Sequence, residues 1–295
     1  METLTNCPAC GSPELSFHME VKDHSVSREM FRLQVCLRCE LVFTNPRPEI
    51  SEIGRYYQSP DYISHTNSKA GLMNRVYQLA RKSAISGKLR LVDSLCKNEP
   101  SLLDYGCGTG EFLADAKKRG WKCAGIEPDE GARKKAIENY GLNVHAPEKL
   151  NDIAGGQFAV ITLWHVLEHV HQLKATVKEF RRIIRSDGAV VIAVPNRTAL
   201  DAKKYGSFWA AFDVPRHLYH FSKKPVLQLM ETAGFSCETI KPVFFDPFYI
   251  SLLSNRYMSG STSPLSAFIS GIKTTIAGKR DIEKNSSLLY VFRPV

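Results

Sequence analysis

Two Cys-x-x-C pairs, Cys7-Pro-Ala-Cys10 and Cys36-Leu-Arg-Cys39, stand 25 residues apart near the start of the chain. Each pair can turn two thiolates toward one ion, and two such turns close the tetrahedron that zinc prefers. Four protein thiolates leave no open coordination position. The chemistry implied is therefore structural: a staple for a unit of about 45 residues, too small to hold together on its apolar core alone. A redox pair is the other common use of this spacing, but two pairs without a thioredoxin-like setting argue against it. The other four of the eight cysteines, Cys96, Cys107, Cys123 and Cys237, are scattered and read as small buried residues.

A second constellation is LLDYGCGTGEF, residues 102–112. It sets Gly106, Gly108 and Gly110 at alternate positions between an apolar strand and the start of a helical pattern, where open α/β sheets bind ligands. Gly106 and Gly108 permit a tight turn with a ligand lying against backbone, and Gly110 permits close helix packing. A dinucleotide fingerprint would carry glycine at 111, where this chain has Glu111. A carboxylate in the first helical turn repels a pyrophosphate and suits a ligand bearing an ammonium and a sulfonium. Asp104 adds a second anion beneath the loop. Seventeen residues beyond Gly110, in CAGIEPD, Glu127 ends the second strand and suits both hydroxyls of a ribose. Its alternative use is as an acid at a helix N-terminus beside Pro128.

With DYGCGTGEF, GIEPD and WHVLEHV in place, residues 100–295 resemble the class I S-adenosylmethionine (SAM)-dependent methyltransferases. The resemblance implies a doubly wound, Rossmann-like sheet of seven strands whose last strand runs antiparallel. It also implies that the loop from Asp104 through Gly106, Cys107 and Gly108 to Gly110 holds the methionine part of SAM. Glu127 and Pro128 would flank the ribose, the adenine would sit near His145 to Glu148, and Leu163, Trp164 and His165 would lie near the reactive end. His165, Glu168, His169 and His171 also invite a metal reading, since His165 and His169 are four apart. They begin as a strand ends, however, which favours a cofactor-side turn. The cysteine quartet resembles the N-terminal zinc modules of some bacterial sugar C-methyltransferases, and zinc ribbons also serve ribosomal-RNA methyltransferases.

Methyl transfer needs alignment of the two partners and a base for the nucleophile's proton, and histidine suits the latter near neutral pH. YGSFWAAFDVPRHLYHFS, residues 205–222, supplies candidates. Its aromatic residues, Trp209 and Tyr219 among them, are expected to wall an acceptor pocket, with Arg216 as a polar contact. His217 is the expected base, kept neutral by the charge of Arg216 beside it, and His220 is the runner-up. The alternative is a second small core with satisfied histidines. RHLYHFS resembles a stretch of the sugar methyltransferases, departing from it at Arg216, where an acid is common.

The elements that must position these groups follow from periodicity. From residue 101 the runs SLLDYG, CAGIE, LNVHA, FAVITLW and AVVIAV alternate with helical stretches near 111–119, 129–139 and 170–185, which implies a parallel sheet covered on both faces. SKKPVLQLMETAGF reads as a helix capped by Ser222 and ended at Gly234. Strands CETIKPVFF and SLLYVFRPV close the chain. The expected organisation is a zinc ribbon at 1–45, a helical linker at 46–98 and a methyltransferase domain at 99–295 with inserts at 196–221 and 246–286.

At 43% hydrophobic and 23% charged the composition is that of a globular protein. No apolar run is long enough to span a membrane, and no basic segment leads into an apolar one at the N-terminus, so a cytoplasmic enzyme is expected. The net charge of +9 keeps nucleic acid in view, with seven basic residues against Asp93 between Lys69 and Lys97. Three functions remain: methylation of a small, sugar-linked or lipid-linked acceptor, which is favoured; an RNA methyltransferase using the ribbon and the basic helix; and a non-catalytic SAM-binding protein. The missing N/D-P-P-Y/F motif after the fourth strand weighs against the second.

Overall fold

The computed structural model describes residues 1–58, 72–260 and 263–295. The chain opens with a hairpin, β1 (Leu15–Lys22) and β2 (Met30–Cys36), followed by the short strand β3 (Val42–Thr44). At the start of the expected helical linker, 46–98, residues 53–57 form a short 3-10 helix. Helix α1 (Leu72–Leu95) then buries Leu89, Val92 and Leu95 against the central sheet. Of the basic stretch 69–97, Lys69 lies outside the described residues, and Lys88 is turned onto the ring of Trp164, 4.4 Å from its centroid.

The central sheet holds β4 (Ser101–Tyr105), β5 (Lys122–Ile126), β6 (Asn143–His145), β7 (Phe158–Trp164) and β8 (Ile184–Pro195). These pair in parallel in the order β6-β5-β4-β7-β8. Helices α2 (Glu111–Lys118), α3 (Glu130–Tyr140) and α4 (Leu173–Ile183) make the crossovers. The order reverses at β4, between β5 and β7, which puts a ligand crevice at the carboxyl end of that strand. All but the last residue of β7 are buried, as a strand covered on both faces requires.

After β8 come helix α5 (Leu200–Tyr205), the two-residue strand β9 (Tyr219–His220) and helix α6 (Lys223–Thr232). Ser222 precedes α6 as expected but makes no capping bond, while Gly234 takes a left-handed φ of 84° past its end. Strand β10 (Phe235–Pro242) joins the sheet edge. The expected insert at 246–286 contains two packed helices, α7 (Asp246–Ser259) and α8 (Pro264–Arg280). Strand β11 (Ser287–Pro294) then runs antiparallel between β8 and β10, completing seven strands with the last one reversed. None of the described helices is long and apolar enough to cross a membrane.

The N-terminal hairpin does not stand alone. Strand β9 from the insert pairs antiparallel with β3, completing a four-stranded sheet in the order β1-β2-β3-β9. Thr44 anchors the seam: its amide donates to the Leu218 carbonyl at 3.0 Å and its hydroxyl to the His217 carbonyl at 3.0 Å. A core of Val21, Leu33, Tyr56, Trp209, Phe212 and Val214 fills the space beneath.

One buried ion cluster locks this arrangement. The Arg216 guanidinium, 1% exposed, donates to Asp213 at 2.7 Å, to Asp23 at 3.0 Å and to the Tyr56 carbonyl at 2.8 Å. Asp23 also accepts the amides of Ser25, Val26 and Ser27, so it shapes the β1–β2 turn as well. Burial pushes the Asp23 carboxyl up, but Arg216 more than offsets this and holds it below the usual range. Asp23→Ala leaves a buried guanidinium short of a partner and is expected to cost about 3–5 kcal/mol, read as a lower unfolding midpoint in denaturant. A depressed carboxyl contributes stability above its unfolded pKa and loses it as pH falls through the folded one. The gap between wild type and Asp23→Ala should therefore narrow in acid.

Candidate active site

The glycine loop and the end of β5 form one cradle. Gly106, Gly108 and Gly110 all have left-handed φ, at 79°, 55° and 85°. A Cβ on Gly106 would lie 2.4 Å from Val166 Cγ2, and one on Gly110 would meet Leu142 and Ala136 of α3 at 2.6 and 2.9 Å. Gly108 alone of the three faces open space. The sequence reading gave Gly106 and Gly108 one shared reason; in the structure Gly106 is needed for protein packing and Gly108 for what lies outside.

Glu127, 8% exposed, ties the two segments together. Its Oε2 accepts the Gly108 amide and its Oε1 the Asp129 amide, both at 2.9 Å. Each oxygen keeps a second lone pair for a ribose hydroxyl. Asp129, not Glu127, caps α3 by accepting from Ala132, so Glu127 is free of the helix-cap role. Burial raises the Glu127 carboxyl, with the two amides opposing. Asp104 lies deeper, 3% exposed, and accepts from the Thr162 hydroxyl at 2.6 Å. Burial pushes its carboxyl up to about 7, so it is a weaker anion than expected. Cys107 turns its sulfur under Gly125, Leu163 is fully buried in β7, and Pro128 is exposed beside Glu127. Trp164 packs edge-on against Phe112 of α2.

A cavity of about 570 Å³ opens on the other side of the β7 end. His165, Glu168, Asp213 and His217 line its floor, Tyr249, Ile250 and Leu253 of α7 one wall, and His24, Ser25 and Arg28 of the β1–β2 turn another. The N-terminal hairpin is thus part of the pocket, and His24 stacks on Tyr257 of α7 with centroids 4.6 Å apart. His165 takes a left-handed φ of 58°, a conformation worth about 1–3 kcal/mol of strain and common at functional sites. Its Nε2 lies 2.9 Å from Asp246 Oδ2 and its Nδ1 3.7 Å from Glu168 Oε1. Burial opposes the charged ring, yet Asp246 and then Glu168 outweigh it and raise His165 to about 10. This ring is an imidazolium at neutral pH.

A model of the family described as "Methyltransferase domain" matches residues 75–240, more than half of the chain. The chain belongs to the class I SAM-dependent methyltransferases. The methyltransferase is 29% identical over 164 residues to the ubiquinone biosynthesis O-methyltransferase of Haemophilus ducreyi, covering 50% of this chain and 69% of that protein. The protein of the same name from Pelagibacter ubique is 29% identical over 174 residues, covering 50% and 70%. Among solved structures, geranyl diphosphate C-methyltransferase from Streptomyces coelicolor A3(2) superposes with a TM-score of 0.52 at 17% identity, covering 78% of this chain and 88% of that one. That likeness concerns the fold.

Several expected acceptor contacts of the methyltransferase lie elsewhere. Arg216, Trp209 and Tyr219 are all 2% exposed or less and do not line the cavity. Arg216 is spent on Asp23 and Asp213, so its charge is neutralised and does not act on His217 as the sequence reading supposed. Tyr219 donates to the His171 carbonyl and accepts from Arg47. His220 is buried on β9 with its Nε2 3.1 Å from the Thr44 hydroxyl, outside the cavity, and burial lowers its pKa well below the ordinary value. The cause is shared: β9 is drawn into the small sheet, and its neighbours become a second core. His217 does reach the cavity, whereas His165, expected beside the cofactor, lines it too. Glu168 enters the sequence analysis only in the metal reading with His165, His169 and His171, while Asp246 and the His24 turn carry no local signal and only tertiary contact reveals them.

The cysteine sulfurs converge. Cys7 and Cys39 lie 3.5 Å apart, as do Cys10 and Cys36, and the four sulfurs fall within 4.8 Å of one another. Each knuckle closes with the same bond, Gly11 N–H to Cys7 O and Glu40 N–H to Cys36 O, both at 2.9 Å, with Gly11 and Glu40 in left-handed φ. A tetrahedral zinc with bonds of about 2.3 Å wants sulfurs about 3.8 Å apart, so the quartet fits that ion.

The two glycines and Glu127 give a test of the cradle. Glu127→Ala should weaken SAM at least about tenfold in calorimetry, since a hydrogen bond to a charged group contributes about 1.5–3 kcal/mol. Gly108→Val should abolish SAM binding and lower the melting temperature through its left-handed φ alone, whereas Gly106→Val should lower it further by adding the clash with Val166.

Proposed function

We propose that the methyltransferase alkylates a hydroxyl of a small molecule held in the 570 Å³ cavity, and that Cys7, Cys10, Cys36 and Cys39 hold one structural zinc. The observation that carries the acceptor reading is the cavity itself, whose size falls in the range of small-molecule sites. It is walled by apolar and aromatic side chains and floored by titratable ones. Sequence relatives named O-methyltransferases support oxygen as the methylated atom. The apolar wall of Tyr249, Ile250 and Leu253 suits an aromatic, sugar-linked or lipid-linked acceptor.

Bound SAM supplies an activated methyl group on a positively charged sulfur. The chain's own residues have three tasks. Glu127, the Asp104–Gly110 loop, Pro128 and the β7 end at Leu163 and Trp164 hold the cofactor, and the His145–Glu148 turn after β6 flanks its base. The cavity walls align the acceptor, a contribution that reaches about 7–11 kcal/mol in well-oriented systems. The floor takes the acceptor's proton. His217 is the group for this. Its Nδ1 faces the Ala211 carbonyl at 2.9 Å, an oxygen that only accepts, so Nδ1 carries the proton and Nε2 presents its lone pair. The imidazolium of His165 beside it cannot serve as a base.

His217→Asn should lower kcat about 100-fold or more, in line with the loss of a proton-accepting group, while the SAM dissociation constant stays within about twofold. Near-normal turnover with the acceptor would remove His217 from this role.

A further inference from the structure

Glu168 is completely buried, and neither carboxylate oxygen has a hydrogen-bond partner among the described residues. An ionised carboxylate in that state is costly unless something cationic compensates it, and the nearest cationic ring, His165, stands 3.7 Å from Oε1, beyond hydrogen-bond distance, and is shared with Asp246. The groups around it deepen the anomaly. His217 Nε2 stands 4.0 Å from Glu168 Oε1, too far for a hydrogen bond. His169 faces the His217 ring edge-on with centroids 4.6 Å apart. Its Nδ1 lies 2.9 Å from the Arg216 carbonyl, an oxygen that only accepts, and 3.0 Å from the Tyr57 hydroxyl, which can accept the same proton. Both imidazoles therefore have Nδ1–H anchored on backbone and a bare lone pair on Nε2.

Three lone-pair donors thus surround one small space with no proton donor of their own. One ligand atom from each of Glu168, His169 and His217 falls within 4.8 Å of the others. The 4.0 Å gap between His217 Nε2 and Glu168 Oε1 admits an ion with bonds of about 2.1 Å to each. Histidines that ligate metals characteristically fix their other nitrogen on a carbonyl or carboxylate, as both do here. The nearby cations are shared: Arg216 serves both Asp23 and Asp213, and the His165 ring serves both Asp246 and Glu168.

We propose that Glu168, His169 and His217 form a divalent-cation site in the floor of the acceptor cavity, and that the cation takes the acceptor through its oxygens. Two imidazoles and one carboxylate suit a first-row ion such as Mn²⁺, Fe²⁺ or Zn²⁺ and leave coordination positions open. Glu168 and His217 line the cavity, so the open positions face the acceptor. A hydroxyl on such an ion ionises at a lower pH and gives its proton to solvent, so with the cation bound His217 Nε2 acts as a ligand in place of its role as base, and a neighbouring oxygen on the same acceptor can occupy a second position. This site rests on the acceptor reading above. It is distinct from the cysteine quartet, whose four thiolates leave no position free.

The test uses the full chain with the cysteine site filled by zinc, titrated with MnCl₂ and followed by the electron paramagnetic resonance of free Mn²⁺. About one additional Mn²⁺ per chain is expected, with Glu168→Gln and His169→Gln each weakening it at least about tenfold and leaving SAM affinity unchanged. No Mn²⁺ uptake by wild type would overturn the proposal, as would equal uptake by both variants. Uptake without turnover of any hydroxylated acceptor would sustain the cation site and defeat the acceptor reading. A turnover loss in His217→Asn without Mn²⁺ uptake by wild type would do the reverse.

Discussion

Everything on the acceptor side of the molecule depends on the buried guanidinium of Arg216. It draws Asp23 of the N-terminal hairpin, the Tyr56 carbonyl and Asp213 of the insert onto one group. The backbone then follows the charge, because β9 completes the small sheet three residues further on. Without that junction the β1–β2 turn would not reach the cavity, and His217 would have no fixed position relative to Glu168. A buried ion cluster contributes little net stability over an apolar replacement, but it punishes any arrangement that leaves a member unpaired. Here that penalty fixes how three distant segments of chain meet.

The two halves of the site use charge in opposite ways. On the cofactor side Glu127 is satisfied twice by backbone amides, and Asp104, pushed up to about 7 by burial, keeps a donated bond from the Thr162 hydroxyl that favours its charged form. That side is preorganised and complete within the protein. On the acceptor side Glu168 is buried without a donor, while His165 sits in a strained backbone conformation against Asp246. Unsatisfied groups and strain are tolerated where a ligand is to supply the missing partner. The contrast supports the proposed location of the chemistry at the β7 end, between the two.

The central sheet was legible in sequence because its strands are short apolar runs separated by helical periods, so all seven were anticipated, while the reversal of the last came from the family resemblance and not from the pattern. Glu127 and the glycine loop were legible because strand end, turn and carboxylate lie close in sequence. The acceptor pocket was less so. Helix α7 buries Ser251, Ser254 and Asn255 while Tyr249 and Met258 stay exposed, so its polar pattern concealed the face it packs. Trp209, Arg216 and Tyr219 carry side chains typical of binding sites, yet strand pairing with β3 consumed them in a core. Asp246 pairs with His165 across 81 positions of chain, which no local pattern encodes.

The central claim is that the cysteine module is a wall of the acceptor site and not an appendage to it. Amide hydrogen exchange of zinc-loaded and chelator-stripped protein tests it most directly. The account predicts that stripping the metal loses protection at 42–44 and at 217–221 together, while amides of the β4–β5 core and the Gly108–Glu127 tie stay protected. If 217–221 kept full protection after residues 1–45 had lost theirs, the module and the acceptor site would be independent, and the account would be wrong.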